Sequence, residues 1–132
     1  MSRKNLELAR ASTDAWNRGD VDAVLALCHP DFEYHTSGDF LGLDPVYRGH
    51  DGFRKFERDF RGAWESLSVV VEELHDHGDQ VAVLGTFEAR ARDGMTVRRR
   101  IANVTTYRDG LAVRTDAYAD WEQALDASGL RD

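Results

Sequence analysis

The sequence predicts an α+β domain in which helices pack against a curved antiparallel sheet and enclose a pocket for a small molecule. In the first half of the chain apolar residues recur at helical spacing, and in the second half they fall in four β-like runs. Helices segregated in this way from consecutive strands are typical of the α+β class. The leading helices need an apolar surface to cover, and the concave face of a bent sheet supplies it, with a hollow beneath.

Length and composition set the outer limits of this prediction. The 132 residues suit a single domain spanning 1–132, and 42% of them are hydrophobic. The net charge of −7 argues against non-specific binding to nucleic acid or to an anionic membrane. No apolar run approaches a membrane span, and the first residues lack the apolar run of a signal peptide, so we expect a cytoplasmic protein. Cys28 is the only cysteine, and we expect it to be a small buried hydrophobe.

Two helices are expected at the start of the chain. Apolar spacing predicts one over 4–17 and another over 21–28, which Pro30 ends. Gly19 is a natural stop for the first helix, and Asp20 is a natural cap for the second.

A short strand and a third helix come next. Residues 32–35 are predicted to be extended. Residues 51–64 carry an apolar stripe at a period of 3.6 residues, which predicts the third helix. The stripe consists of Phe53, Phe56, Phe60, Ala63 and Trp64.

The remaining strands are joined by turns with clear signals. Asp93-Gly94 and Asp109-Gly110 are hairpin dipeptides between β-like runs. A last short helix begins at Asp120, where Gln123 completes a capping pattern, and Gly129 ends it. The predicted strands are 67–75, 80–91, 96–108 and 111–119.

Five blocks of sequence carry a family resemblance. They are Trp16–Asp20, His29–Phe32, Tyr47–Gly52, Tyr107–Gly110 and Ala124–Leu130. In this order they resemble the SnoaL-like polyketide cyclase branch of the nuclear transport factor two-like superfamily, which also contains the ketosteroid isomerases. The resemblance implies a cone-shaped fold with its pocket between helices and sheet. It also implies a homodimer through the outer face of the sheet.

The resemblance also implies which residues form the site. His35 falls where a ketosteroid isomerase has its general-base aspartate, Asn103 where it has an acid that donates to an oxyanion, and Ser12 where it has a tyrosine. Because all three positions differ, steroid isomerisation is not carried over. SnoaL-like cyclases use a pocket aspartate as acid or base, and Asp116 is the candidate for that role. We expect the substrate-binding wall to contain Trp16, Ser12, Trp64, Tyr118, Phe53 and Phe56.

Each catalytic candidate also has a structural interpretation. A histidine with an ordinary pKa of about 6.5 can serve as a general base, and the alternative is that His35 is a partly exposed strand-end residue with no chemistry. The amide of Asn103 can donate to a carbonyl oxygen or bond to neighbouring backbone. Asp116 can act as acid/base, can orient His35, or can be a surface carboxylate beside Arg114 or Arg108.

Two further patterns favour structural explanations. His75 and His77 share a strand face and could hold a metal with Asp79, but solvated turn residues explain them better, and we expect no metal site. Arginines around Asp93-Gly94 could bind an anion, yet charge on an exposed hairpin also blocks edge pairing. The arginines are Arg90, Arg92, Arg98, Arg99 and Arg100.

Two functional hypotheses follow. The first is a cofactor-independent lyase, isomerase or cyclase that acts by acid/base chemistry on a small, largely apolar carbonyl compound. It assigns catalysis to His35, Asp116 and Asn103 and needs no cofactor, because no phosphate loop, nucleophile elbow or Cys-x-x-Cys pair is present. The second is a non-catalytic small-molecule-binding or dimerisation module with the same fold.

Overall fold

A computed structural model of the chain describes residues 2–38 and 42–128. Four helices and six strands follow one another in the described residues. They are α1 (Ser2–Asn17), α2 (Val21–Leu25), β1 (Cys28–His35), β2 (Val46–Arg48), α3 (Gly49–Arg61), β3 (Trp64–His77), β4 (Gln80–Ala91), β5 (Thr96–Arg108), β6 (Leu111–Tyr118) and α4 (Trp121–Ser128). The predicted α+β class is confirmed.

The strands form one open, curved sheet in the order β2-β1-β6-β5-β4-β3. Neighbouring strands are antiparallel except β1 and β6, which pair in parallel. The pairing register shifts in β3 between Val71 and Glu73, and again between Thr106 and Tyr107 in β5. Such irregularities bend a strand and increase its twist, which gives the sheet a concave face for the helices.

The first half departs from the predicted boundaries in three places. The third helix spans Gly49–Arg61 rather than 51–64, so Trp64 of its predicted stripe lies in β3 instead. The second helix ends at Leu25 rather than at residue 28, and Cys28 already pairs with Ala112 of β6. Pro30 therefore lies within a strand, where it cannot donate to the ladder. The short strand β2, Val46–Arg48, was not predicted, because three residues are too few to show a period.

The predicted turns and caps are present. Gly19 has φ +76°, and the Asp20 side chain accepts the N–H of Ala23 at 3.1 Å. Asp109 and Gly110 both have positive φ, as a tight hairpin between β5 and β6 requires. The Asp120 side chain caps α4 through the N–H of Gln123 at 2.8 Å, while the predicted stop at Gly129 lies outside the described residues.

Helix α1 is tied to the sheet through backbone groups. The Asn17 amide donates to the carbonyl of Val69 at 2.8 Å and accepts the N–H of Val69 at 2.9 Å. Arg61, at the end of α3, donates to the carbonyl of Trp16 at 2.8 Å, and its guanidinium lies 4.8 Å from the Trp16 ring. Helices α1 and α3 are thereby held together over the concave face.

The outer face of the sheet is partly covered by α4. Ala124 packs there on a small apolar cluster in β4 and β5 that includes Leu84, which is fully buried. The indole N–H of Trp121 lies 3.2 Å from the carbonyl of Gly85 and 3.1 Å from that of Ile101. This forked hydrogen bond holds the start of α4 on the sheet. Across the described residues, every helix is too short or too polar to cross a bilayer.

Candidate functional site

A cavity of about 170 Å³ lies between the helices and the concave face of the sheet. Its wall is mostly aliphatic and aromatic, with hydroxyl groups, one amide and one thiol. Helix α1 contributes Leu8, Ala9, Ser12, Thr13 and Trp16, and α3 contributes Phe53, Phe56 and Phe60. The strands contribute Phe32, Tyr34, Val69, Val83, Phe87, Ile101, Asn103, Thr105, Tyr107, Thr115, Ala117 and Tyr118, among others.

Strand β5 carries the polar part of the wall. Asn103, Thr105 and Tyr107 are two residues apart, so their side chains share the concave face. The Thr105 and Thr115 hydroxyls are 2.7 Å apart and pair with each other. Within the described parts of the chain, the Asn103 amide and the Tyr107 hydroxyl have no hydrogen-bond partner. These groups remain available to a molecule in the cavity.

Burial keeps the titratable groups of the cavity wall neutral. It raises the pKa of the Cys28 thiol to about 12 and the pKa of the Tyr34 phenol to about 12. The pKa of Tyr107 is also raised, first by burial and then by the nearby Cys28. Because the thiolate and phenolate forms are disfavoured, these groups act as neutral hydrogen-bonding groups rather than as nucleophiles or bases near neutral pH.

His35 lies on the other face of β1. Its Nε2 atom is 2.9 Å from Oε1 of Glu33, two residues earlier, and the Arg48 guanidinium is 3.6 Å from the same carboxylate. The hydrogen bond from His35 is the largest of the effects that lower the pKa of Glu33. Side chains alternate along a strand, so the neighbouring Tyr34 faces the cavity and His35 does not.

Asp116 is also outside the cavity. Its carboxylate forms a two-atom contact with the Arg114 guanidinium, at 2.9 and 2.8 Å. This is the surface arrangement that the sequence offered as an alternative. Thr115 and Ala117, on either side in the sequence, face the cavity. Of the three catalytic candidates the structure therefore places only Asn103 in the wall, and the expected convergence with His35 and Asp116 does not occur.

Most of the predicted substrate-binding residues line the cavity. Trp64 does not: it packs behind the wall, with its ring centroid 6.4 Å from that of Phe60 and 5.5 Å from that of Phe87. It supports the lining rather than contacting the space. The predicted residues in the wall are Trp16, Ser12, Tyr118, Phe53 and Phe56.

Two tyrosines of the wall were not predicted as site residues. Tyr34 stacks on Phe56 with ring centroids 4.3 Å apart, and Tyr107 is 6% exposed. The signal was available in the strand period, since Tyr34 follows Phe32 by two residues and Tyr107 follows Asn103 by four. Reading that period outward from one cavity residue would have found both.

The chain beside the cavity is held by a small polar network. Leu43 lines the cavity, and the next residue, Asp44, donates its N–H to the Tyr47 hydroxyl at 2.9 Å. That hydroxyl donates to Asp59 of α3, also at 2.9 Å. Lys55 contacts the carboxylates of Asp44 and Asp59. These contacts raise the pKa of Lys55 to about 12 and lower the pKa of Asp59. The network positions Leu43 against α3.

The two other patterns from the sequence have local partners. His75 bonds to Glu73 at 2.8 Å, and no metal-binding group of three His, Cys, Asp or Glu side chains occurs among the described residues. Four of the hairpin arginines contact groups of the same chain. Arg90 contacts Glu65, Arg92 contacts the carbonyl of Gly62, Arg98 contacts Glu88, and Arg100 stacks on Trp121.

Solved structures resemble the whole chain. TerC, crystallised with polyporic acid, is 27% identical with a TM-score of 0.82, and the match covers 95% of this chain and 97% of TerC. A nuclear transport factor two-like protein of unknown function from Burkholderia pseudomallei K96243 is 24% identical, with a TM-score of 0.82 and the same coverage. A SnoaL-like polyketide cyclase candidate from Jannaschia sp. CCS1 is 18% identical, with a TM-score of 0.78, and the match covers 99% of this chain and 95% of that one.

No curated protein matches the chain. The family model of the SnoaL-like domain matches residues 9–115, which include most of the cavity wall from α1 to β6. The match covers far more than half of the sequence and agrees with the fold. The chain belongs to the SnoaL-like domain family.

Proposed function

We propose that this chain binds a small, largely apolar molecule with a carbonyl or hydroxyl oxygen, inside the cavity between α1, α3 and the sheet. The Asn103 amide carries the proposal, because it lines the cavity and lacks a partner among the described residues. Asn103 is only partly buried, so its amide is accessible from the cavity. A ligand oxygen that accepts its N–H gains a hydrogen bond in mostly apolar surroundings.

The rest of the wall supports the same class of ligand. Its aromatic rings, among them Trp16, Phe56 and Phe87, offer flat apolar contact area. The neutral thiol and phenols of the wall provide no counter-charge for an ion, so a carboxylate would lose its hydration without compensation. TerC, 27% identical, was crystallised with polyporic acid, which supports a small organic molecule as the occupant here.

The test is a titration with 2-naphthol, a two-ring compound with one hydroxyl, monitored by calorimetry and by the intrinsic tryptophan fluorescence, to which Trp16 in the cavity wall contributes. We expect saturable binding with one site per chain. The anionic analogue 2-naphthoate at neutral pH is expected to bind at least about tenfold more weakly, because its charge must be desolvated.

A cavity-filling substitution provides the control. Ala117→Leu adds a branched side chain inside the wall, whereas Ala127→Leu adds the same atoms at an exposed position of α4. We expect the first variant to lose 2-naphthol binding while keeping a cooperative melt, and the second to bind as the parent does. Absence of binding in the parent protein, or equal binding by the Ala117→Leu variant, would contradict the proposal.

The catalytic hypothesis shares the Asn103 amide with this proposal. A donor to a carbonyl oxygen would suit a cofactor-independent lyase, isomerase or cyclase. Acid/base chemistry also needs a base, and the roles of His35 and Asp116 stay predictions, with both side chains engaged on the outer face. A hundredfold loss of turnover in His35→Ala on an identified substrate would support the catalytic hypothesis, and an unchanged rate would remove His35 from it.

The homodimer through the outer face of the sheet also stays a prediction. Val70, on β3, is a large hydrophobic residue that is 46% exposed. Its exposure gives a direct test, because Val70→Asp would place a charge in such an interface. A dimer measured by light scattering that persists unchanged in this variant would place the contact elsewhere.

A further inference from the structure

Among the described residues, β5 presents two unpartnered polar side chains to the cavity, and these lie at different ends of it. Asn103 and Tyr107 are four residues apart on one strand, so their Cα atoms are separated by roughly 13 Å. Asn103 is opposite Val83 and Ala117, whereas Tyr107 is opposite Ala112. The strand therefore presents one free hydrogen-bonding group at each end of the same cavity.

The two ends differ in their surroundings. At the Tyr107 end the wall contains buried Cys28 and Ala112, and Tyr107 itself is 6% exposed. At the Asn103 end the cavity is lined by Thr36, the residue that directly follows β1, and Thr36 is only half-buried. The first end is closed, and the second lies beside the loop that follows β1.

The middle of the same strand offers less. Thr105 lies between the two residues, and its hydroxyl is already paired with that of Thr115 at 2.7 Å. Along the strand the order is thus an unpartnered amide, a paired hydroxyl and an unpartnered phenol. From the side chains of β5 itself, a ligand that lies along the strand would meet unpartnered groups at its ends and an already paired group at its centre.

We infer that the ligand of this cavity has two oxygens at opposite ends of an apolar body, one bound by Asn103 and the other by the Tyr107 hydroxyl. The inference rests on the proposed binding function and adds the class of ligand. A phenol can donate to a carbonyl oxygen or accept from a hydroxyl, and an amide can do both, so quinone-like and diol-like molecules both fit. A molecule with one oxygen would leave one end of the cavity unpaired.

Tyr34 provides an internal control. Its hydroxyl also lacks a partner within the described residues, but Tyr34 reaches the cavity from β1, opposite Thr115, and stacks on Phe56. It therefore lies beside the middle of the β5 row rather than at an end. Removing the Tyr34 hydroxyl should therefore leave unchanged the preference of the protein for a ligand with two oxygens over a ligand with one.

The experiment compares 2-naphthol with 2,6-dihydroxynaphthalene, which has the same ring system and a second hydroxyl at the far end. For the parent protein we expect the diol to bind about fivefold more tightly, from one additional hydrogen bond. In Tyr107→Phe and in Asn103→Leu this preference should become smaller. What remains should be the statistical advantage of the diol, either of whose two equivalent hydroxyls can bind to the one remaining group. In Tyr34→Phe it should be retained.

The outcomes separate the two proposals. If neither compound binds the parent protein, the proposed function fails and the inference fails with it. If both bind the parent equally well, or if the preference for the diol survives in Tyr107→Phe, binding stands and the inference alone is overturned. Loss of the preference in Tyr34→Phe but not in Tyr107→Phe would overturn it as well, because the second oxygen would then bind to β1.

Discussion

The polar side chains on the two faces of the sheet differ in charge and in hydrogen bonding. On the outer face charged groups are paired, as in Glu33 with His35 and Asp116 with Arg114. On the inner face the polar groups are neutral, and Asn103 has no partner among the residues described. Paired charges in water contribute little and have a structural explanation, whereas a partly exposed amide on the cavity wall is available to another molecule.

The contrast teaches where to look for function in this fold. Residue types with rich chemistry, such as His35, were predicted as catalytic from the sequence but lie where solvent and neighbouring ions satisfy them. Residue types with modest chemistry, such as Asn103 and Tyr107, line the cavity. Position on the strand, rather than intrinsic reactivity, distinguishes the two groups.

The largest effect is expected from the apolar wall of the inner face. Phe87 is 1% exposed and packs against Phe60 and Trp64, so Phe87→Ala should lower the free energy of unfolding by about 3–5 kcal/mol. Urea denaturation measures this. Met95→Ala, at a position 65% exposed, is the control and should change stability by less than about 0.5 kcal/mol.

A titration at alkaline pH tests whether the inner face of the sheet is shielded from water. Burial raises the pKa of Tyr34 to about 12 from the ordinary value of 10.0, so the folded state favours the neutral phenol. Its contribution to stability is complete below pH 10 and is lost as the pH rises towards 12. Because the Tyr107 phenol also ionises late, the phenolate absorbance of Tyr34→Phe should show one late-ionising group fewer than that of the parent. A Tyr34 that ionises near pH 10 would show that the wall is open to water.

Asn103 should separate stability from binding. Asn103→Leu removes an unpartnered amide, so the free energy of unfolding should stay the same or rise by up to about 1 kcal/mol. The same substitution should weaken binding of 2-naphthol. A clear loss of stability would indicate instead that the amide has a structural partner, such as a bound water.

The smallest effect is expected on the outer face at acidic pH. The pKa of Glu33 lies below its ordinary value of 4.5, mainly because of the hydrogen bond from His35. The contribution of this pair is therefore present above pH 4.5 and is lost as the pH falls through the lowered pKa. Melting temperatures of Glu33→Gln should depend less on pH in this range than those of the parent. Identical profiles would show that the pair contributes nothing measurable.

Much of the fold could be predicted because its signals are local. The Asp-Gly hairpins, the caps at Asp20 and Asp120, and the period of the third helix each depend on a few neighbouring residues. The strand β2 and the parallel pairing of β1 with β6 depend on contacts distant in the sequence. No local pattern specifies such contacts.

The site was harder to predict for a related reason. Which face of β1 meets the cavity depends on register, and a shift by one residue exchanges Tyr34 for His35. The sequence permits either side chain to face inward, and alignment to a family with a carboxylate at this position favoured the histidine. Burial of Phe32 and Tyr34 against α3 decides it, since both rings pack on Phe53.

The attachment of α1 has a consequence for how this scaffold can diversify. Asn17 contacts the N–H and carbonyl of Val69, groups that every residue except proline would present, while the Val69 side chain forms part of the lining. Exchanging that side chain would reshape the interior without releasing the helix above it. Because α1 is attached through backbone groups, the domain tolerates substitution of this lining side chain. New ligand preferences can therefore evolve or be engineered here with little effect on the fold.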